Sequence, residues 1–276
     1  MGYFAPDTVT DALRQLADGS AQIVAGGTDV YPARGRAPAA KRYLDVTSIA
    51  GFSEISHGPD GTRFGAAVTW SDIVRADLPP VFDGLKAAAK EVGSVQIQNA
   101  GTLAGNICNA SPAADGMPTL LALDAQVEIA SALRGPRHVP LDAFVTDVRQ
   151  TVLEEDELVI AVCIPALPTG MTAAFEKLGA RRYLVISICM TSANVLLDDR
   201  GAISEVRVAV GACSPVAQRL HQLERELVGV RPGAVTVTDA HLSPLSPIDD
   251  VRGDASYRSD AVRAQIVRAI QRAGTR

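Results

Sequence analysis

The sequence of 276 residues lacks the features of membrane proteins and nucleic-acid binders. Its longest apolar runs, such as Leu184–Met190, are strand-sized and far shorter than the roughly 20 residues of a membrane-spanning helix. The N-terminus has neither a basic nor an apolar signal segment, so we expect a cytoplasmic protein. Lys and Arg never occur more than two in a row and the net charge is −5, which argues against a nucleic-acid partner.

Cysteine is scarce and scattered. The four cysteines show no Cys-x-x-Cys pair and no spacing usual for zinc or iron–sulfur ligation. A disulfide framework is also excluded in a chain of this length. The four histidines have no Glu or His at ligand spacing. We therefore predict no metal site in this chain. The cysteines are Cys108, Cys163, Cys189 and Cys213.

The first part of the chain alternates between short helices and strands. Residues 8–18 predict a helix capped by Thr8 or Thr10, followed by strands at 21–25 and 42–46. A hairpin is predicted across Pro59-Asp60-Gly61, then helices near 69–74, 81–92 and 113–123 and strands at 126–130 and 158–164. The polar, Gly-rich stretch 94–115 predicts a loop whose side chains face a bound molecule or the protein interior.

The last part predicts an antiparallel sheet covered by helices. Strands are expected at 174–178, 186–197 and 203–212, with a hairpin turn at Asp198–Gly201. Apolar periodicity marks helices at 220–228 and 262–270, and the Pro-rich segment 165–170 indicates a domain edge. The acidic run 154–157 precedes a strand and is expected to be a solvated turn.

Two glycine-rich segments are the candidate binding elements. The first, Ala25-Gly-Gly-Thr-Asp29, follows a strand directly, and consecutive glycines allow the backbone amides to approach a pyrophosphate. The second runs from Gln96 to Asn106 and continues to Asp115. Neither is a P-loop or a Rossmann glycine fingerprint. Each segment alone is compatible with an ordinary turn as well as with a phosphate cradle.

Taken together, the segments resemble the FAD-binding medium subunit of the xanthine dehydrogenase and carbon monoxide dehydrogenase family of molybdenum hydroxylases. The resemblance rests on Ala25–Val30, Gln96–Asn106 and Ser111–Asp115 in that order. It continues through Phe175–Arg181 and Arg252–Arg258, and so covers essentially the whole chain.

The resemblance implies an α+β architecture: a two-subdomain FAD-binding fold of the vanillyl-alcohol-oxidase (PCMH) type and an α+β C-terminal domain with an antiparallel sheet and helices. The expected bounds are 1–53 and 54–167 for the two FAD-binding subdomains and 168–276 for the C-terminal domain.

The resemblance also implies the site. FAD is expected to be held non-covalently, because Thr28 stands where covalent relatives have a histidine. The family's positions place the cofactor against Ala25, Gly26, Gly27, Thr28, Asp29, Val30, Gly101, Thr102, Gly105, Asn106, Cys108, Asp115, Val159 and Lys177.

Two departures from the family pattern fall in the second segment. Gln98 replaces the usual Arg, and Ala104 replaces a commoner Gly. The second replacement is acceptable only if that residue does not need a positive φ.

The implied function is electron transfer within an oxidoreductase complex. Partners would be a large molybdenum-cofactor subunit and a small [2Fe–2S] subunit, assembled as a dimer of heterotrimers, with electrons leaving to NAD or another acceptor. No acid–base or nucleophilic constellation is visible, which agrees with a cofactor-driven role. Two alternatives stay open: a flavin-free assembly subunit, and a self-contained flavin dehydrogenase.

Overall fold

The computed structural model describes residues 2–35 and 38–275. In these two ranges helices are combined with four sheets, which confirms the α+β class. Within the described ranges no helix is long and apolar enough to cross a bilayer.

The first unit is a small parallel sheet with helices. Thr8 caps its first helix by accepting a hydrogen bond from the Asp11 N–H at 3.1 Å, as predicted. The third strand is central, with the other two parallel to it on either side. The elements are β1 (Gly2–Phe4), α1 (Val9–Ala17), β2 (Gln22–Val24), α2 (Val30–Arg34) and β3 (Arg42–Asp45).

The second unit is built on a five-stranded antiparallel sheet. Its strand order is β4-β5-β10-β6-β7, so that the last strand of the unit lies at the centre. The elements are β4 (Ile55–Gly58), β5 (Gly61–Gly65), α3 (Trp70–Arg75), α4 (Asp83–Glu91), α5 (Val95–Ala100), α6 (Leu103–Cys108), α7 (Gly116–Ala122), β6 (Gln126–Ser131), β7 (Gly135–Pro140), α8 (Leu141–Phe144), β8 (Val145–Asp147), β9 (Gln150–Thr151) and β10 (Glu157–Pro165).

The third unit is the predicted antiparallel sheet, in the order β11-β12-β13-β14. The long C-terminal helix packs on its first two strands, and the turn at Asp198–Gly201 joins the second and third. The elements are β11 (Thr172–Leu178), β12 (Cys189–Leu197), β13 (Ile203–Gly211), β14 (Gln218–Arg219), α9 (His221–Glu226), α10 (Asp239–Leu242) and α11 (Ala255–Ala273).

The main hydrophobic core extends beyond the first two units. Ala209 and Ala217 of the third unit belong to the same buried cluster as Leu120 and Ile129 of the second. The buried Asn194 side chain on β12 also donates a hydrogen bond to the carbonyl of Ala122 at the end of α7. The second and third units therefore share one packed interior.

Two regions differ from the sequence-based expectations. The stretch 94–115, expected as a loop, contains the short helices α5 and α6, because Ser94 and Thr102 each cap a helix start with a side-chain oxygen. The strand β7 was missed because it carries Pro136 and Pro140. It lies at the edge of the sheet, where prolines are tolerated.

The acidic run was wrongly expected to be fully solvated. Glu157 is 3% exposed and forms two hydrogen bonds with the Arg137 guanidinium, at 2.8 and 2.7 Å. The partner lies on β7, two strands away, so the local run of acidic residues gave no sign of it.

Candidate FAD site

The two glycine-rich segments meet in space. A Cβ atom on Gly26 would lie 1.6 Å from the carbonyl oxygen of Ala100, so only glycine permits this approach. The second segment is fixed in turn to the start of α3, since Trp70 N–H donates to the Gly101 carbonyl at 3.1 Å. Leu103 N–H likewise donates to the Val68 carbonyl at 3.0 Å. The predicted juxtaposition therefore has a specific backbone basis.

The first segment turns directly after β2. Gly27 has φ +67°, in the left-handed region that favours glycine. In the part of the chain that the structure describes, the N–H groups of Gly26, Gly27 and Thr28 donate no intramolecular hydrogen bond. Exposed donors of this kind need water or a ligand as their acceptor. They are suited to the oxygens of a pyrophosphate.

A cleft with a volume of about 620 Å³ opens between the two segments. This volume lies in the range typical of small-molecule and cofactor sites. Every residue predicted to bind the cofactor lines it except Asp115 and Lys177. Other residues of the wall were not predicted from the sequence, because their side chains give no signal comparable to a pair of glycines. They are Ile23, Tyr43, Trp70, Ile97, Asn109, Leu153 and Leu158.

One side-chain acceptor of the wall lacks a partner among the described residues. The Oδ1 atom of Asn106 is buried and accepts no hydrogen bond from them. A buried acceptor without a donor costs about 1–3 kcal/mol. Asn106 lines the cleft, so rotation of its amide would present this oxygen to an N–H or O–H group of a bound molecule and remove the penalty. The donor set and the orphaned acceptor both fit FAD, which carries phosphates, hydroxyls and a ring N–H.

Beside this wall, three side chains connect the first glycine-rich segment to the second unit. The Asn109 amide donates to the Asp29 carboxylate at 2.9 Å. Arg149, from the turn between β8 and β9, donates to the carbonyl and to the side-chain oxygen of Asn109. Asp29 and Asn109 both line the cleft, so this link connects the first glycine segment to the second unit.

Asp115 and Lys177 form a buried pair outside the cleft lining. The Lys177 ammonium lies 2.8 Å from an Asp115 oxygen, and their side chains are only 7% and 10% exposed. Lys177 also donates to the Glu91 carbonyl at 3.1 Å, and the Ser187 hydroxyl donates to Asp115 at 2.7 Å. Burial raises the pKa of Asp115, whereas Lys177 and Ser187 oppose that shift. The pair joins the second unit to the third.

The two departures from the family pattern occupy different surroundings. Ala104 lies in α6, is not among the residues with positive φ, and so meets the condition set for that position. Gln98 lies in α5 outside the cleft lining, where its amide donates to the Lys90 carbonyl at 3.0 Å. Neither replacement blocks the cleft.

Comparison with protein families gives two matches. Residues 1–167 match the family model of the FAD-binding domain in molybdopterin dehydrogenase. Residues 173–273 match the model of the C-terminal domain of CO dehydrogenase flavoproteins.

Comparison with individual proteins agrees. The nicotine 6-hydroxylase medium subunit of Paenarthrobacter nicotinovorans is 31% identical, over 99% of this chain and 97% of that subunit. The xanthine dehydrogenase FAD-binding subunit of Escherichia coli O157:H7 is 30% identical, over 98% and 95%. Among solved structures, a chain of the carbon monoxide dehydrogenase from Hydrogenophaga pseudoflava aligns with a TM-score of 0.87 and 26% identity, over 99% and 96%.

Proposed function

The chain belongs to the family of FAD-binding subunits of molybdopterin dehydrogenases, and from this we propose that it binds FAD in the described cleft and relays electrons within a heteromeric complex. Membership makes it an oxidoreductase subunit. The route of the electrons, the partner chains and the residues that hold the cofactor are parts of the proposal.

The orphaned Oδ1 atom of Asn106 is the observation that carries the proposed site. It supports a ligand that donates a hydrogen bond at this wall of the cleft. The N–H groups of Gly26, Gly27 and Thr28, which have no acceptor among the described residues, support an anionic group at the other segment. FAD meets both demands, with its pyrophosphate at the first segment and its ribityl or ring donors at the second.

The remaining contacts orient and enclose the cofactor. Thr102 and Gly105 bring the start of α6 to the cleft, and Val159 of β10 supplies an apolar surface for a ring. Cys108 lies on the same wall as a thiol side chain. Asp115 and Lys177 lie outside the cleft lining and would contribute indirectly, by fixing the segment that follows Asn106 against the third unit.

Bound FAD supplies the redox chemistry, because it can exchange electrons singly with a [2Fe–2S] partner and in pairs with NAD or another acceptor. This chain supplies binding, orientation and protection from solvent. We propose a large molybdenum-cofactor subunit and a small [2Fe–2S] subunit as its partners, in a dimer of heterotrimers. Relatives named as medium and FAD-binding subunits support a complex of several different chains.

Asn106→Leu tests the site in the full chain. The purified chain, reconstituted with FAD, should show flavin absorbance bands at one equivalent. We expect the variant to weaken FAD binding about tenfold, the effect of losing one hydrogen bond. It should not lower the stability of the FAD-free chain, because it removes an unpaired buried acceptor.

Gln98→Ala is the matched control, since its side chain lies outside the cleft lining. It should retain the parent affinity. Absence of flavin bands after reconstitution would instead favour a flavin-free assembly subunit. Turnover of a small substrate by the FAD-loaded chain alone would favour a self-contained dehydrogenase.

A tag on this chain tests the proposed partners. The complex isolated through the tag should contain two further chains, with molybdenum in the larger and iron in the smaller by metal analysis. Isolation of the chain alone or as a homo-oligomer under the same conditions would count against the relay.

A further inference from the structure

A second group of chemically reactive side chains lies on the five-stranded sheet, away from the cleft. Glu128 on β6 and His138 on β7 are direct cross-strand partners, and Cys163 lies on the adjacent β10. One ligand atom from each residue lies within 4.8 Å of the other two. None of the three lines the FAD cleft. The alternation of strand residues puts them on the face opposite the buried Val127 and Val162.

The donor set is that of a zinc site. Thiolate, imidazole and carboxylate bind Zn²⁺ with bond lengths of about 2.3, 2.0 and 2.1 Å. Tetrahedral geometry with these lengths places ligand atoms roughly 3.3–3.6 Å apart. The Cys163 Sγ and a Glu128 oxygen are already 3.8 Å apart. Small side-chain rotations would bring the third ligand to the same distance.

The ligand types also select among ions. A thiolate is a poor ligand for Mg²⁺ and Ca²⁺, which prefer oxygen. His138 is exposed, so that a fourth, solvent position stays accessible beside it. We propose that Glu128, His138 and Cys163 form a zinc-binding site with one open position on the outer face of this sheet.

Arg63 on β5 is the competitor for this site. Its Nε donates to a Glu128 oxygen at 2.8 Å, and its side chain is 39% exposed. The guanidinium can move into solvent, whereas Glu128 is held within the sheet. Zinc and Arg63 therefore compete for the same carboxylate, and the metal would replace one charge pair with a link across β6, β7 and β10.

The FAD-loaded full chain is suited to the test, after treatment with a chelator. Titration with Zn²⁺ should give one equivalent bound per chain. Co²⁺ should give a thiolate-to-cobalt charge-transfer band and the visible bands of a tetrahedral site. Cys163→Ala and His138→Ala should each weaken zinc binding by about a hundredfold or more, beyond the 10–100-fold effect of losing an indirect contact.

His57→Ala is the matched control, because His57 lies on β4 of the same sheet and outside the group. It should keep the full equivalent of zinc. Arg63→Gln should bind zinc several-fold more tightly than the parent. An affinity that does not rise in this variant would exclude Glu128 as a ligand and overturn the proposed site.

Absence of stoichiometric zinc in the parent chain would overturn it as well, as would a cobalt spectrum without the thiolate band. If Cys163→Ala does not fold, the cobalt spectrum of the parent chain and the zinc affinity of Cys163→Ser test whether Cys163 is a ligand.

Discussion

Gly26 shows how one residue can determine a binding site. The sequence predicted that the two glycine-rich segments form one site, and in the structure they lie in direct contact at Gly26, where close backbone approach requires glycine. It could not predict which backbone atom Gly26 meets, because Ala100 lies more than seventy residues further along the chain. Asn109 and Arg149 were missed for the same reason. Arg149 hydrogen-bonds to Asn109 and Asn109 to Asp29, and these three residues come from distant segments of the chain.

Gly26→Ala should destabilise the chain and abolish FAD binding. The added methyl group would overlap the Ala100 carbonyl, and the two segments would have to separate. We expect a loss of about 2 kcal/mol or more in the free energy of unfolding. Urea unfolding and the FAD content after reconstitution measure the two effects.

Gly58→Ala provides the control, because a methyl group there would meet no atom within 4 Å. It should bind FAD like the parent chain. Equal FAD content in both variants would show that the approach of the two segments is not required for binding.

At the level of the element, the central strand β10 connects most of the second unit. Hydrophobic runs and turn signals predicted this strand and its neighbours β5 and β6 well. Charge patterning failed at its start, where Glu157 is buried against Arg137. The helices α5 and α6 were missed because each has only six residues, too few for a clear helical periodicity.

Glu157→Gln should reveal this pair through its pH dependence. Arg137 holds the pKa of Glu157 below its ordinary value, so the carboxylate stabilises the fold above about pH 4.5. That contribution falls as the pH drops through the lowered folded-state pKa. We expect the free energy of unfolding of the variant to be about 1–2 kcal/mol lower than that of the parent chain at pH 7, and this deficit to shrink below pH 4.5.

Urea unfolding between pH 7 and about pH 3 measures the deficit across the range in which Glu157 is protonated. Glu155→Gln changes an exposed carboxylate of the same acidic run and should be close to neutral throughout. A deficit for Glu157→Gln that is constant with pH would point to lost packing instead of the ion pair.

At the scale of the whole molecule, the Asp115–Lys177 pair links the FAD-binding region to the third unit. The sequence placed both residues near the flavin by family resemblance, and that placement stays a prediction. Their contact with each other was not foreseen, because it joins segments that the sequence assigns to different domains.

Lys177→Met should cost about 3 kcal/mol of stability, because it leaves the Asp115 carboxylate buried without its cation. The double variant Asp115→Leu with Lys177→Met should regain most of this loss, since no buried charge then lacks a partner. Thermal unfolding of the three chains gives the comparison. A double variant as unstable as Lys177→Met would show that the loss comes from packing and not from the charge.

The flavin potential of the single variant Lys177→Met tests the predicted role of Lys177 near FAD, because this variant removes the cation and keeps the Asp115 carboxyl group. Removal of a cation close to the ring should lower the reduction potential, because a positive charge favours the reduced, more negative flavin. A potential equal to that of the parent chain would place Lys177 beyond electrostatic reach of the flavin.

The core that Ala209 and Ala217 share with the second unit has a consequence for exchanging parts between relatives. The two family models divide the chain between residues 167 and 173, yet the buried surfaces on either side of that division are complementary. A chimera that takes its C-terminal segment from a relative about 30% identical would bring together surfaces that did not evolve together. Such grafts should succeed only when α7, Asn194 and the small residues of β13 are transferred as one block.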